Sequence, residues 1–270
     1  NMVQDASQIH EWSAYRLFRA QNLPAPRVGY AFVRLNDEIY GVYAIIESPD
    51  EHMLGRWYAG TTHAYEGAYG QDLIEGRIET FEIDRGDPTD RSDLYTLQRM
   101  LDELPAEQFY PSTQALIDWP LTIGTMATEI YIGHWDGYAP TRNNYYFHFD
   151  DQGALSLLPW GTDQTFDRQL GFFDGRGRLL QACLANGICR FNFEEALLRV
   201  METIESTALA TEIEALAERL LPWQELDDRS GRNPQQIANQ VRRTIEFLTQ
   251  RAERATEALA CLLSENPDPD

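Results

Sequence analysis

Residues 28–46 read Val-Gly-Tyr-Ala-Phe-Val-Arg-Leu-Asn-Asp-Glu-Ile-Tyr-Gly-Val-Tyr-Ala-Ile-Ile. Two runs rich in β-branched and aromatic residues, 28–36 and 39–46, flank a polar Asn36-Asp37-Glu38 link short enough for a hairpin. This early antiparallel pair decides the fold class, because most of the chain beyond it reads as helix. Upstream, Ile9, Trp12, Tyr15 and Phe18 recur near helical spacing in residues 6–20, with Ser7 as a cap, and Leu23-Pro24-Ala25-Pro26 ends that helix. Downstream, 48–90 is rich in Gly, Asp and aromatic residues, with room for one more hairpin. Residues 91–104 and 112–132 read as helices, the second apolar on most faces and so buried. Strands Tyr145–Phe149 and Ala154–Leu158 form a further hairpin across Asp150-Asp151-Gln152-Gly153. From residue 176 the pattern is helical, with a boundary at Asn233-Pro234 and a frayed tail from Glu265 to Asp270. The expected class is α+β, with antiparallel strands in the N-terminal half and a mainly helical C-terminal half.

Composition removes several functions. Acidic residues outnumber basic ones 43 to 22, for a formal charge of −21, which repels phosphate backbones and anionic lipid and argues against nucleic-acid or membrane-surface binding. A hydrophobic content of 43% excludes wholesale disorder, and no apolar run approaches the roughly 18 residues of a membrane span. Every basic residue is Arg; with no Lys, a P-loop lysine, a Schiff-base lysine and a Ser–Lys dyad are all excluded within these residues. Three cysteines show no zinc spacing. Cys183 and Cys189 bracket an Asn-Gly turn that can bring them into bonding range, which would leave Cys261 over; three buried thiols are the alternative.

The densest chemistry lies at 134–167. Asp136 follows the long apolar helix, Asn143 and Asn144 open one strand, and Asp163 lies just past its hairpin partner. A hairpin returns its ends to one place, so Asn144 and Asp163 are expected as neighbours, with Asp136 folded onto them. Oxygen ligands alone, and few of them, suit a divalent cation of the magnesium kind. Turn-forming Asp-Gly and Asn-Asn pairs in a Trp-rich satellite core would give the same pattern. Two carboxylates flanking a cleft, Asp136 and Asp163, also suit a hydrolase. Arg27 and Arg142 are candidate phosphate contacts, with surface ion pairs as the plain alternative. His52, His63, His134 and His148 show no ligand spacing and read as structural, and Gly175-Arg176-Gly177 is too short a phosphate-loop fragment to use.

Taken in order, Asp5-Ala-Ser-Gln-Ile-His-Glu11, Tyr15-Arg-Leu-Phe-Arg19, Pro24-Ala-Pro-Arg27, Tyr40-Gly-Val-Tyr43 with Glu47, Trp135-Asp136-Gly137, Asn144-Tyr-Tyr-Phe147 and Pro159-Trp160 resemble the CotH kinase family over nearly the whole chain. That resemblance implies an atypical kinase-like fold and ATP-dependent phosphorylation of protein Ser or Thr with Mg2+ or Mn2+. It makes Asp136 the catalytic-loop aspartate, Asn144 the metal-binding asparagine and an aspartate near Pro159-Trp160 the second metal ligand. Glu47 matches a family glutamate that helps organise the nucleotide. The chain departs where the family commonly has Asp after Pro-Trp: here Gly161 stands, with Asp163 and then Asp167 behind it. The connection from Asp136 to Asn144 is also longer than the usual kinase spacing. The resemblance implies one domain over 1–270 lacking its leading strands and their phosphate-binding lysine: 1–90 on the nucleotide side, 91–175 with the catalytic loop and metal hairpin, and 176–265 helical. A catalytically inactive surface-binding module is the alternative that Gly161 and the missing lysine favour. The family's frequent export, with the paired cysteines, implies a secreted or cell-surface bacterial protein.

Overall fold

The computed structural model describes residues 2–260. In chain order the strands are β1 (Val28–Leu35), β2 (Glu38–Ile46), β3 (Thr61–Gly67), β4 (Glu82–Arg85), β5 (Tyr145–Asp150) and β6 (Leu155–Pro159). The helices are α1 (His10–Ala20), α2 (Glu51–Leu54), α3 (Ser92–Glu103), α4 (Ala106–Ser112), α5 (Trp119–Tyr131), α6 (Tyr138–Thr141), α7 (Arg178–Ala185), α8 (Gly187–Ser206), α9 (Leu209–Gln224) and α10 (Pro234–Ala258). Helix and strand are mixed and all strand pairing is antiparallel.

β1 and β2 form a two-stranded sheet of their own, turned by Asn36 and Asp37, both with left-handed φ (49° and 68°), the turn whose twist suits a two-residue hairpin. The other four strands run β4-β3-β5-β6, so the hairpin expected at 145–158 pairs with strands from residues 61–85. Its core face rests on α5, in which every residue from Thr122 to Tyr131 is buried. α5 packs in turn on α8, so the sheet and the C-terminal helices share one apolar core.

Two helix boundaries differ from expectation. α1 starts at His10, not near Ser7; Ser7 donates to Asp5, and Asp5 accepts the His10 amide at 2.7 Å, so the acid takes the role assigned to the serine. The predicted helix 112–132 is split: Asp118 caps α5 by accepting the Leu121 amide at 3.1 Å, and Pro120 sits in its first turn. At the other end of α5, buried Arg251 of α10 donates to the carbonyls of Tyr131 and Ile130 at 2.9 and 2.8 Å. It closes the orphan carbonyls of a helix end buried away from solvent. Cys183 and Cys189 are bonded to each other across the α7–α8 joint. Cys261 and the tail from Glu265 lie outside the described residues.

Candidate functional site

The site begins where α5 ends. After Tyr131 the chain turns through Gly133 and the buried His134 and carries Trp135 and Asp136 toward the surface, both half-buried. The guanidinium of Arg168 lies over the Trp135 ring at 3.9 Å, shielding the approach to it. The one-turn helix α6 then leads back through Arg142 to Asn144, at the mouth of β5.

Asn144 Nδ2 donates to Asp136 Oδ2 at 3.0 Å. Gln164 Nε2 donates to the same oxygen at 3.3 Å and to Gln4 Oε1 at 2.9 Å. Asp136 and Asn144 are therefore brought together directly. Asp163 is half-buried just past the hairpin, its carbonyl bonded to His10 Nδ1 at 3.0 Å. Burial, then the charges of Asp5 and Asp136, push its carboxyl above the ordinary range, so it shares the field of Asp136. Asp167 lies nearer the surface, and partial burial of its carboxyl raises it against the opposing charges of His10 and Arg168.

Gly161 adopts φ +51°, and a Cβ there would stand 2.9 Å from Asn144 Cγ. The family's aspartate at this position has neither the backbone nor the room it needs while Asn144 holds its present place. Asp163 is the next carboxylate along the chain, with Asp167 behind it.

Glu47 is placed elsewhere. It takes Arg27 at 2.8 Å and Arg56 at 2.5 Å, a guanidinium on either side of one carboxylate. Burial works to raise its pKa, but hydrogen bonds from Arg56 and Arg27 outweigh it and bring the group down to about 2. Arg27 is thus an ion-pair partner at the surface. Arg142, with left-handed φ (59°), lines an open groove with Arg176 and Arg178, and no residue bonded to Asp136 lines it.

Three groups escaped the reading of individual residues: Asp5, His10 and Glu11 from the start of the chain. Burial, then Asp163 and Asp5, lift Glu11 to about 7. The signal lay in the opening motif Asp5 to Glu11, which spacing alone cannot connect to Asp163. Asp5, Glu11, Asp136 and Asp163 make an acidic corner in which the charges of Asp5, Asp136 and Asp163 raise neighbouring carboxyls. Among the described residues no three His, Cys, Asp or Glu side chains form a group able to hold a metal ion. Asp136, Asn144 and Asp163 carry oxygen donors only, the donor type that a magnesium-type ion takes.

Residues 1–254 match the family described as CotH kinase protein. The chain is 22% identical over 254 residues to the inner spore coat protein H of Bacillus subtilis, covering 83% of this chain and 69% of that protein.

Proposed function

The chain belongs to the CotH kinase family, and from that premise we propose that it catalyses ATP- and divalent-metal-dependent phosphoryl transfer to Ser or Thr of a protein substrate. The observation that carries the reading is the Asp136–Asn144 hydrogen bond beside Asp163. Asn144 donates through Nδ2 to one oxygen of Asp136, which leaves the other carboxylate oxygen to accept the proton of the substrate hydroxyl. The same bond turns Asn144 Oδ1 away from Asp136 and frees it, with the Asp163 carboxylate, for a Mg2+ or Mn2+ ion. When bound, that ion neutralises the triphosphate charge.

The raised carboxyls of the acidic corner support this. Burial and neighbouring acids raise Glu11 and Asp163, and a cation relieves the charge part of that, so ion binding should release a proton from Glu11 near neutral pH. Glu47 and Arg142 enter the proposal only as nucleotide-side contacts, Glu47 by fixing Arg27 and Arg56, and Arg142 through its groove. The disulfide and the spore-coat name of the relative support an exported, surface location. Among the described residues no helix is long and apolar enough to cross a membrane.

The test is metal-dependent ATP binding and turnover by the protein. Asp163→Asn should abolish metal-dependent binding, and Asp136→Asn should leave binding intact while stopping transfer. A second reading, a catalytically inactive binding module, is favoured by Gly161 and by the lack of lysine in these residues. It wins if the wild type neither binds ATP with metal nor responds to Asp163→Asn.

A further inference from the structure

We propose that Glu129 and His134 are positioning residues that fix Asp136 against Asn144 and against the turn carrying Asp163, a role that rests on the phosphoryl-transfer reading of that site. Glu129 is wholly buried in the last turn of α5, with no basic side chain paired to it among the described residues except His134 at 3.9 Å. Its Oε2 accepts the Ala139 amide at 2.8 Å and its Oε1 the Tyr138 amide at 3.4 Å. These are the opening amides of α6, midway along the connection between Asp136 and Asn144. A four-residue helix cannot satisfy its own first N–H groups, so this carboxyl fixes where α6 starts. Gly137 is fitted to the arrangement: a Cβ there would lie 2.5 Å from His134 Nδ1 and 3.0 Å from Glu129 Cδ.

His134 secures the other side. Its ring Nε2 bonds the Gly161 carbonyl at 3.1 Å, which makes Nε2 the protonated nitrogen and leaves Nδ1 buried and unpartnered. Its own amide donates to the Glu129 carbonyl at 2.9 Å. One helix end thus grips the catalytic connection through Glu129 and the Asp163 turn through His134. The grip is made of hydrogen bonds to backbone groups, since Glu129 and His134 approach each other no closer than 3.9 Å. An apolar side chain would fill the space beneath α6 at lower desolvation cost. The buried acid instead accepts two amides that an apolar side chain would leave unpaired.

The test compares Glu129→Gln, Glu129→Leu and His134→Phe in the full chain, by amide hydrogen exchange and by steady-state kinetics with Mg-ATP. Glu129→Gln keeps one acceptor oxygen and should preserve slow exchange at Ala139, whose bond is the shorter at 2.8 Å, and most of kcat. Glu129→Leu should speed exchange at the Tyr138 and Ala139 amides about 10-fold or more while β5 amides stay protected. Its kcat should fall on the order of 100-fold, as expected when reacting groups are misplaced by about 1 Å, with the KM for ATP little changed. His134→Phe should loosen the Gly161 turn and lower kcat in the same way, and it decides the matter if Glu129→Leu does not fold. Unchanged exchange at Tyr138 and Ala139 in folded Glu129→Leu overturns the proposal, as does faster exchange with unchanged kcat. A wild type without turnover counts against the kinase reading alone, because the exchange result still decides whether Glu129 holds α6.

Discussion

The chain contains two hairpins of similar design and opposite circumstance. In β5–β6 every residue from Tyr145 to Phe149 and from Leu155 to Pro159 is buried, and the pair is flanked by β3 on one side and covered by α5. In β1–β2 only Gly41 and Val42 are buried, and Leu35, Ile39 and Ile45 stand exposed. Both have short turns and strong strand composition, so local propensity does not separate them. What separates them is the company each keeps: a two-stranded sheet is marginal alone, whereas a strand inside a four-stranded sheet packed on a helix is not. The candidate catalytic groups sit at the open end of the rigid hairpin, with Asn144 before it and Gly161 and Asp163 after it. A site on rigid elements holds the tolerances that phosphoryl transfer requires.

The largest effect expected from this contrast is in the core. Phe147→Ala should cost about 3–5 kcal/mol, because Phe147 is fully buried among Phe81, Tyr138 and Tyr145. Phe32→Ala in β1, where the ring is half-buried near Trp223, should cost about 1–2 kcal/mol. Urea melts of both variants measure the difference. Equal losses would mean that β1–β2 is as much a part of the cooperative core as β5–β6.

A covalent tie outside both hairpins gives the scale. The Cys183–Cys189 bond spans 6 residues, so closing its loop in the unfolded chain is worth roughly 2–3 kcal/mol. Reduction should lower stability by that amount, and thiol counting on unreduced protein should find one free thiol, from Cys261. Three free thiols would remove both the stabilisation and the support for an oxidising compartment.

The anchoring of β1–β2 is more local. Buried Asp227 accepts the Val42 amide at 2.9 Å, tying β2 to the end of α9. Asp227→Ala leaves that amide unpaired, at a cost of about 1–3 kcal/mol. Amide exchange should accelerate across 38–46 and remain unchanged across 145–159. Acceleration in both hairpins would show that they open together.

Much of this was legible in the sequence, for identifiable reasons. Strand composition and short turns located both hairpins to within a residue or so, and the buried helix declared itself by its lack of a polar face. The Asp118 cap inside 112–132 was missed because apolar residues on both sides outweighed one acid and one proline. The pairing of β3 with β5 and of Arg251 with the end of α5 was not legible, since neither partner signals the other along the chain. At the site, the order Asp136, Asn144, Asp163 was readable, but no residue pattern signals that Asn144 bonds Asp136 directly. Nor could spacing show that Glu129, read as one more residue of an apolar helix, reaches the amides of α6.

The smallest expected effect compares the pH response of two carboxyls, one beside each hairpin. Glu47, next to β2, is held at about 2 by Arg56 and Arg27 against the opposing effect of burial. A depressed acid contributes stability above its unfolded value near 4.5, and loses it as pH falls toward 2. Because the pair lies at the surface, the amount is at most about 1 kcal/mol and shrinks in salt. Glu129, beneath the Asp136–Asn144 connection, is raised by burial to about 8. A raised acid acts with the opposite sign: its proton is held more tightly in the folded state, so stability is greatest below 4.5 and declines as pH climbs to about 8. Glu47→Gln should therefore lower Tm slightly at pH 7 and have no effect near pH 2, and roughly 0.5 M salt should shrink the difference. Glu129→Gln should flatten the decline between about pH 5 and 8 and leave the acid limb unchanged. If Glu47→Gln lowered Tm at pH 7 as much in high salt as in low, the Arg27–Glu47–Arg56 cluster would be a packed structural joint, and β1–β2 would be less exposed to solvent than its burial pattern indicates.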